Sequence, residues 1–377
     1  MEKKVLFISA TVGIGGAGIA VERIANSLRQ NGLEVDIEAL NFSSNKKRLL
    51  IRRILARLNR EYEKRVKFKN FGTRDPLSST YLPFNPIGKI NFFKYDVIHL
   101  HWVNYGFIGM NHIDKMVKAV PTVWTLHSLW PISAPHHYLN SGPGLQSRGL
   151  SKKTSQILDK VKVWILPSTG MRDYLPVKYL TAVVNNPLNT QETKAHFQTS
   201  SDSFVFIAAG DVFDPRKALK DLLELWISNR ILLEGKKLLI VGPVSHSQLS
   251  SPLTKIAMAN NVIFLGEATD AREIQTILRS SRAIFVPSMQ ESFGQVIAEA
   301  FASGCLVIAR SSIMSLTEYE EFTEFLFKTD YSADSFAESI FWCNSREVDR
   351  VALSSAAIHH FSPDRLAQEL ILLYKSV

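Results

Sequence analysis

The densest grouping of chemically capable side chains lies at residues 287–309, PSMQESFGQVIAEAFASGCLVIA. Glu291 precedes a Ser292-Phe293-Gly294 turn, a helix is expected to open near Gln295, and Glu299 follows among the apolar Val296, Ile297 and Ala300. A carboxylate at the edge of such a turn can accept sugar hydroxyls, and one in the first turns of the helix can accept those of a ribose. Unbonded amides at the helix start can hold a phosphate. A second phosphate-capable stretch is Gly13 to Gly18, GIGGAG, where Gly15 and Gly16 let backbone approach an anion at the start of another helix. Its glycines keep the dinucleotide spacing at Gly13, Gly15 and Gly18. The second strand, expected over Glu34 to Leu40, does not end on the acid that would hold a ribose, so a nicotinamide site is disfavoured. His99, His101 and Trp102 in HLHWVN follow another strand and could line an acceptor side; packed histidines are the competing reading. No Asp-x-Asp pair follows a strand, and His136-His137 has no companions at metal-ligand spacing, so metal-independent chemistry without a cofactor is expected.

These residues need elements to hold them. The chain has 377 residues, 46% hydrophobic and 21% charged, which predicts two globular lobes and excludes wholesale disorder. Strands are expected at 5–10, 34–40, 96–100, 121–126 and 163–167, with helices at 17–30, 113–119 and 151–162 among them. A polar stretch at 187–203 reads as a linker. A second series follows, with strands at 204–209, 237–241, 262–265, 283–286 and 306–309 and helices at 219–226, 271–280 and 295–302. Strands alternating with helices predict parallel sheets, so the fold class is α/β, with two doubly wound Rossmann-like lobes facing a central cleft and ligands at the strand carboxyl ends. The expected domains are 1–190, 200–360 and a closing helix at 361–377 packing back across the lobes. Lys3 and Lys4 precede an apolar run that ends at once in glycines, which fits a first strand better than a secretory signal. No apolar run approaches the roughly 20 residues that cross a bilayer. With Cys305 and Cys343 as its two cysteines, reduced thiols and a cytoplasmic protein are expected.

The segment 287–309, with VGP at 241–243, NVIFLGEATD at 261–270, FVPSMQESFG at 285–294 and DPRKALKDLLELW at 214–226, resembles glycosyltransferase family 4, retaining nucleotide-sugar-dependent enzymes of the GT-B fold. TLHSLWPISAPHHY at 125–138 is similar to the family's first-lobe segment. The resemblance implies that Glu291 contacts the transferred sugar, Glu299 the ribose, and Lys217 the β-phosphate with Arg216 assisting, while His127 lies near the donor sugar. The lysine would suit a leaving diphosphate that gains charge as its sugar bond breaks. Retention would come from the donor phosphate helping to deprotonate the acceptor hydroxyl, with no protein nucleophile. The implied partners are a nucleoside-diphosphate-sugar and a glycan or lipid-linked acceptor in surface polysaccharide assembly. The chain departs from the family at Asp211, where many relatives carry Arg, at Ser128 and 134–136, and at 311–321. A nucleotide-sugar epimerase of the same fold and a non-catalytic donor-binding or membrane-adaptor protein are the alternatives.

Charge is unevenly placed. Residues 1–190 carry 27 Lys and Arg against 12 Asp and Glu, the remainder 17 against 23, for a net +9. Eleven basic residues fall in 46–69, KKRLLIRRILARLNREYEKRVKFK, against Glu61 and Glu63. As a helix, this segment sets Leu50, Ile54 and Leu58 in a stripe broadened by Ile51 and Leu55 and flanked by Arg53, Arg57 and Arg60. Such a helix fits an anionic membrane surface, or packs its stripe on its own lobe. Aromatics do not interleave until Tyr62 and Phe68, so nucleic acid is not expected.

Overall fold

The computed structural model describes residues 3–42, 46–67, 77–137, 151–189, 202–268 and 270–377. Most of the expected linker, together with Phe68, Lys69 and Tyr138, lies outside them. The chain divides into two compact units, 1–187 with 363–377, and 188–362.

The first unit contains β1 (Lys4–Ile8), α1 (Gly15–Gln30), β2 (Glu34–Glu38), α2 (Lys46–Tyr62), β3 (Val97–Leu100), α3 (Met110–Ala119), β4 (Thr122–Thr125), α4 (Trp130–Ser133), α5 (Lys152–Leu158), β5 (Val163–Leu166) and β6 (Thr181–Val183). Its sheet is parallel in the order β2-β1-β3-β4-β5-β6. The central strands are apolar on both faces because helices cover both, as parallel sheets require. β2 stops at Glu38, two residues short of the expected end, so an acid does close this strand; Arg52 pairs with it and occupies it.

The second unit contains β7 (Ser203–Ile207), α6 (Leu219–Ser228), β8 (Lys237–Val241), α7 (His246–Leu249), α8 (Pro252–Ala259), β9 (Val262–Gly266), α9 (Ala271–Ser280), β10 (Ala283–Val286), α10 (Gln295–Ala302), β11 (Leu306–Arg310), β12 (Leu326–Thr329), α11 (Ala333–Ser345) and α12 (Arg350–His360). Its sheet is also parallel, in the order β12-β11-β10-β7-β8-β9. Cys305 and Cys343 are buried free thiols here.

The chain then returns to the first unit with α13 (Pro363–Ser376). This helix is part of the first unit's core: Leu366, Ala367, Leu370 and Tyr374 share a cluster with Val21, Ile24 and Leu28 of α1. Tyr374 also satisfies a buried polar group. His99 sits in the sheet centre, paired with Phe7 on one side and Val123 on the other. Its Nδ1 lies 2.6 Å from the Tyr374 hydroxyl and its Nε2 2.7 Å from Thr125 Oγ1. Hydroxyls can donate or accept, so either neutral tautomer is fully bonded.

The orientation of α2 is the reverse of the usual one. Arg52, Ala56, Asn59 and Glu63 face inward and are buried. Arg52 donates to the carbonyls of Ala39 at 3.1 Å and Phe42 at 3.3 Å besides pairing with Glu38. Asn59 Nδ2 donates to the Gly106 carbonyl at 2.7 Å and the Phe84 carbonyl at 3.0 Å, and Glu63 accepts the Ser79 amide at 2.5 Å. Gly106, at φ +68°, is required: a Cβ there would stand 2.5 Å from the Ala56 carbonyl oxygen. The aliphatic stripe therefore points away from its own unit, with Leu50 61%, Ile54 50% and Leu58 45% exposed.

Two outcomes follow from the His99 cluster. Tyr374→Phe leaves Nδ1 buried without a partner and should cost the first unit about 1–3 kcal/mol in urea unfolding. Burial, and secondarily the charge of His127, holds the His99 imidazole well below its ordinary 6.5. The unfolded chain binds this proton first as pH falls, so stability is held above about 6.5 and is lost progressively below it. Urea midpoints that stay flat through that range would contradict this reading.

Candidate active site

In a doubly wound sheet, ligands bind beyond the carboxyl ends of the two strands where the order reverses. In the second unit those strands are β7 and β10, and the loops after them carry most of the expected donor residues.

After β7, Asp214 accepts the Arg216 amide at 3.0 Å and opens a single tight turn over Pro215–Lys217, ended by Ala218 at φ +50°. The turn is stitched to the loop after β10 by the Met289 amide, which donates to the Arg216 carbonyl at 2.7 Å. That stitch brings Lys217 Nζ to 2.6 Å from Glu291 Oε1, with their side chains 25% and 17% exposed. Gly294, at φ +74°, caps α10, and a Cβ there would lie 2.9 Å from Ile297 Cδ1. Ser292 is half-buried beside Glu291, and Glu299 is half-buried one turn along from Gln295.

Phe293 is placed differently from the expectation of a donor contact. Its side chain is 1% exposed and packs in the core near Tyr319 and Phe361, so only its backbone is left for a ligand. Sequence reasoning missed Tyr319. This fully buried residue places its hydroxyl 2.8 Å from the Phe293 carbonyl and 3.1 Å from that of Gly294, bracing the turn from beneath. It belongs to the 311–321 stretch that departs from relatives, so no motif marked it. Arg216 pairs with Asp214. Asp211 does not face a phosphate as a cation would; it accepts the Phe213 amide at 2.9 Å and the Gln248 side chain at 2.9 Å.

In the first unit the reversal falls between β1 and β3. The glycine loop after β1 lies beside the loop after β3, with the Ala10 amide donating to the Trp102 carbonyl at 2.5 Å. Gly15 and Gly16 form the first turn of α1, and no atom stands within 4 Å of where a Cβ would be on either. That open ground lets an anion reach the helix start.

His101 and His127 are brought together, Nδ1 to Nε2 at 3.1 Å, and His101 stacks on His99 at 4.0 Å between centroids. Burial lowers all three. His127 falls to about 4, while His99 falls well below 6.5 with help from the charge of His127, and His101 with help from His99 and His127, so the cluster is neutral near pH 7. A small pocket is lined by His101, Trp102, Asn104, Thr125, His127 and Ser128 among others. Three polar atoms within it are buried without hydrogen-bond partners: His101 Nε2, Trp102 Nε1 and Asn104 Nδ2. The last two are N–H donors and can give hydrogen bonds to oxygen acceptors. Asn104 had been passed over, although it closes the HLHWVN segment. His99, bonded on both nitrogens in the core, does not line this pocket. Among the described residues no three His, Cys, Asp or Glu side chains are grouped to hold a metal ion.

Two family models cover these two units in turn: Glycosyltransferase Family 4 matches residues 14–192 and Glycosyl transferases group 1 matches residues 189–360. D-inositol 3-phosphate glycosyltransferase of Corynebacterium aurimucosum is 23% identical over 92% of this chain and 86% of its own. Sucrose-phosphate synthase from Thermosynechococcus elongatus superposes with a TM-score of 0.65 at 16% identity, covering 100% of this chain and 99% of that one. Anabaena HepE, in complex with UDP and glucose, gives 0.59 at 16% identity over 100% of both. With two parallel six-stranded sheets, with Lys217 and Glu291 paired where strand order reverses, and with family models matched in turn over 14–360, the chain belongs to glycosyltransferase family 4 and has the two-lobe GT-B fold.

Proposed function

We propose that the protein transfers a hexosyl group, with retention and without a metal ion, from a nucleoside-diphosphate-sugar to a glycan or lipid-linked acceptor, in surface polysaccharide assembly at the cytoplasmic face of a membrane. The observation that carries the reading is the Lys217–Glu291 pair. Without donor, each neutralises the other. With donor, the ammonium turns to the β-phosphate, whose charge grows as the sugar bond breaks, and the released carboxylate accepts hydroxyls of the transferred sugar. Glu299 takes the ribose, and the amides at the start of α10 take phosphate oxygen. A fixed lysine in this place supplies charge stabilisation that a metal would otherwise give. The HepE complexes with UDP and with UDP-glucose support a nucleotide-sugar donor.

His127 acts in this scheme as a neutral imidazole, a hydrogen-bond partner for a sugar hydroxyl, with His101 holding its ring. The unpartnered donors of Trp102 and Asn104 suit an acceptor rich in hydroxyl or phosphate oxygen. The acceptor proton passes to the donor phosphate on the departing face, so no nucleophilic side chain is required.

Nucleotide release across a panel of nucleoside-diphosphate-sugars with a lipid-linked glycan tests the scheme. Lys217→Ala and Glu291→Ala should each lower kcat/KM by about 10²–10³-fold, the scale of losing one preorganised electrostatic group. Turnover equal to the parent in both variants would remove the site assignment. A chelator should leave the parent rate unchanged, and a rate abolished by chelation and restored by a divalent cation would overturn the metal-free mechanism.

A further inference from the structure

The outward stripe of α2 is the most unusual surface of the first unit. Leu50, Ile51, Ile54 and Leu58 are 61, 55, 50 and 45% exposed, while polar Arg52 and Asn59 of the same helix are 2 and 0% exposed. Three exposed rings border it. Phe42, Phe84 and Tyr105 are 48, 40 and 55% exposed, and their backbone carbonyls accept from Arg52, Asn59 and Arg60 of the helix. Lys47, Arg48, Arg53 and Arg57 are exposed around the stripe.

We propose that α2 and its three flanking rings form an interfacial anchor that seats the first unit on an anionic lipid surface and sets the His101–Asn104 pocket at headgroup level. A stripe of aliphatic residues bordered by cations and aromatics matches the layering of a bilayer edge: acyl chain, then glycerol, then anionic headgroup. A second copy of the chain would set these cations against themselves. The link to the pocket is direct. Asn59 and Arg60 hold the carbonyls of Gly106 and Tyr105, the turn that follows Asn104, and the Tyr105 ring lies 5.8 Å from that of Trp102. A lipid-borne acceptor would thus present its polar head to the pocket while its tail stays in the bilayer. This second half rests on the glycosyl-transfer reading; the anchoring does not.

Sedimentation of the full chain with vesicles of equal parts phosphatidylcholine and phosphatidylglycerol, against pure phosphatidylcholine, tests the anchor. The parent should partition onto the anionic vesicles. Arg53→Gln with Arg57→Gln should weaken partitioning about thirtyfold, from the contribution of each basic residue near such a surface. Ile54→Ser with Leu58→Ser should weaken it about tenfold or more. All four side chains are exposed, so both variants should release nucleotide from a soluble donor at the parent rate when no vesicles are present. A parent that turns over donor yet stays in the supernatant, or binds both vesicle types equally, overturns the anchor. So does a concentration-dependent dimer that the Ile54/Leu58 variant dissolves, since the patch would then be a contact between copies. Binding to anionic vesicles without turnover of any donor overturns the transfer reading and upholds the anchor. Brominated phosphatidylcholine in the vesicles should quench tryptophan fluorescence, and Trp102→Phe should remove that quenching; no quenching overturns the placement of the pocket.

Discussion

An ammonium and a carboxylate drawn partly out of bulk water need a partner of opposite charge close by. Lys217 and Glu291 stand in that relation, and much of the second unit serves to bring them there. Two loops from strands that are neighbours in space but distant in sequence must run side by side, which the β10–β7 pairing provides. Each loop must also turn sharply enough to aim its side chain: Ala218 adopts a left-handed conformation on one, and Gly294 on the other. The pair is stable without ligand yet made of groups that a phosphate and a sugar can each claim. In the proposed transfer, a diphosphate would meet a cation already placed, which is what electrostatic preorganisation requires.

The first unit solves a different problem. His99, His101 and His127 are so far from water that they carry no charge near neutral pH, and they bond one another and their neighbours. What this unit offers a ligand is direction: N–H groups with fixed aim, and glycine backbone open to approach.

Much of this was legible in the sequence. The bounds of β8, α9, β10 and α10 match expectation because apolar periodicity and the flanking turn residues agree there. The sheet class and the paired acids followed from the same stretch. β6, β12, α4, α7, α8, α11 and α12 were not foreseen; β6 and β12 are three- and four-residue strands with too little pattern to read. The inner face of α2 could not be read either. Apolar residues normally face inward, and here the polar Arg52 and Asn59 do, because their partners are backbone carbonyls at residues 39, 42, 84 and 106 and the Glu38 carboxylate. Tyr319 was hidden for the same reason: its worth lies in two carbonyls some 25 residues back in the chain. Sequence pattern shows which surfaces a segment has, and long-range hydrogen bonds decide which of them is used.

The return of α13 to the first unit has a consequence for biogenesis. Val21, Ile24 and Leu28 are translated more than 300 residues before Leu366, Leu370 and Tyr374, which cover them. The first unit therefore cannot close its core until those residues have been made, whereas the uninterrupted unit at 188–362 can fold while still tethered. Nascent chains stalled short of residue 363 would carry one finished unit and one with an apolar helix face still open, the form that a chaperone would recognise.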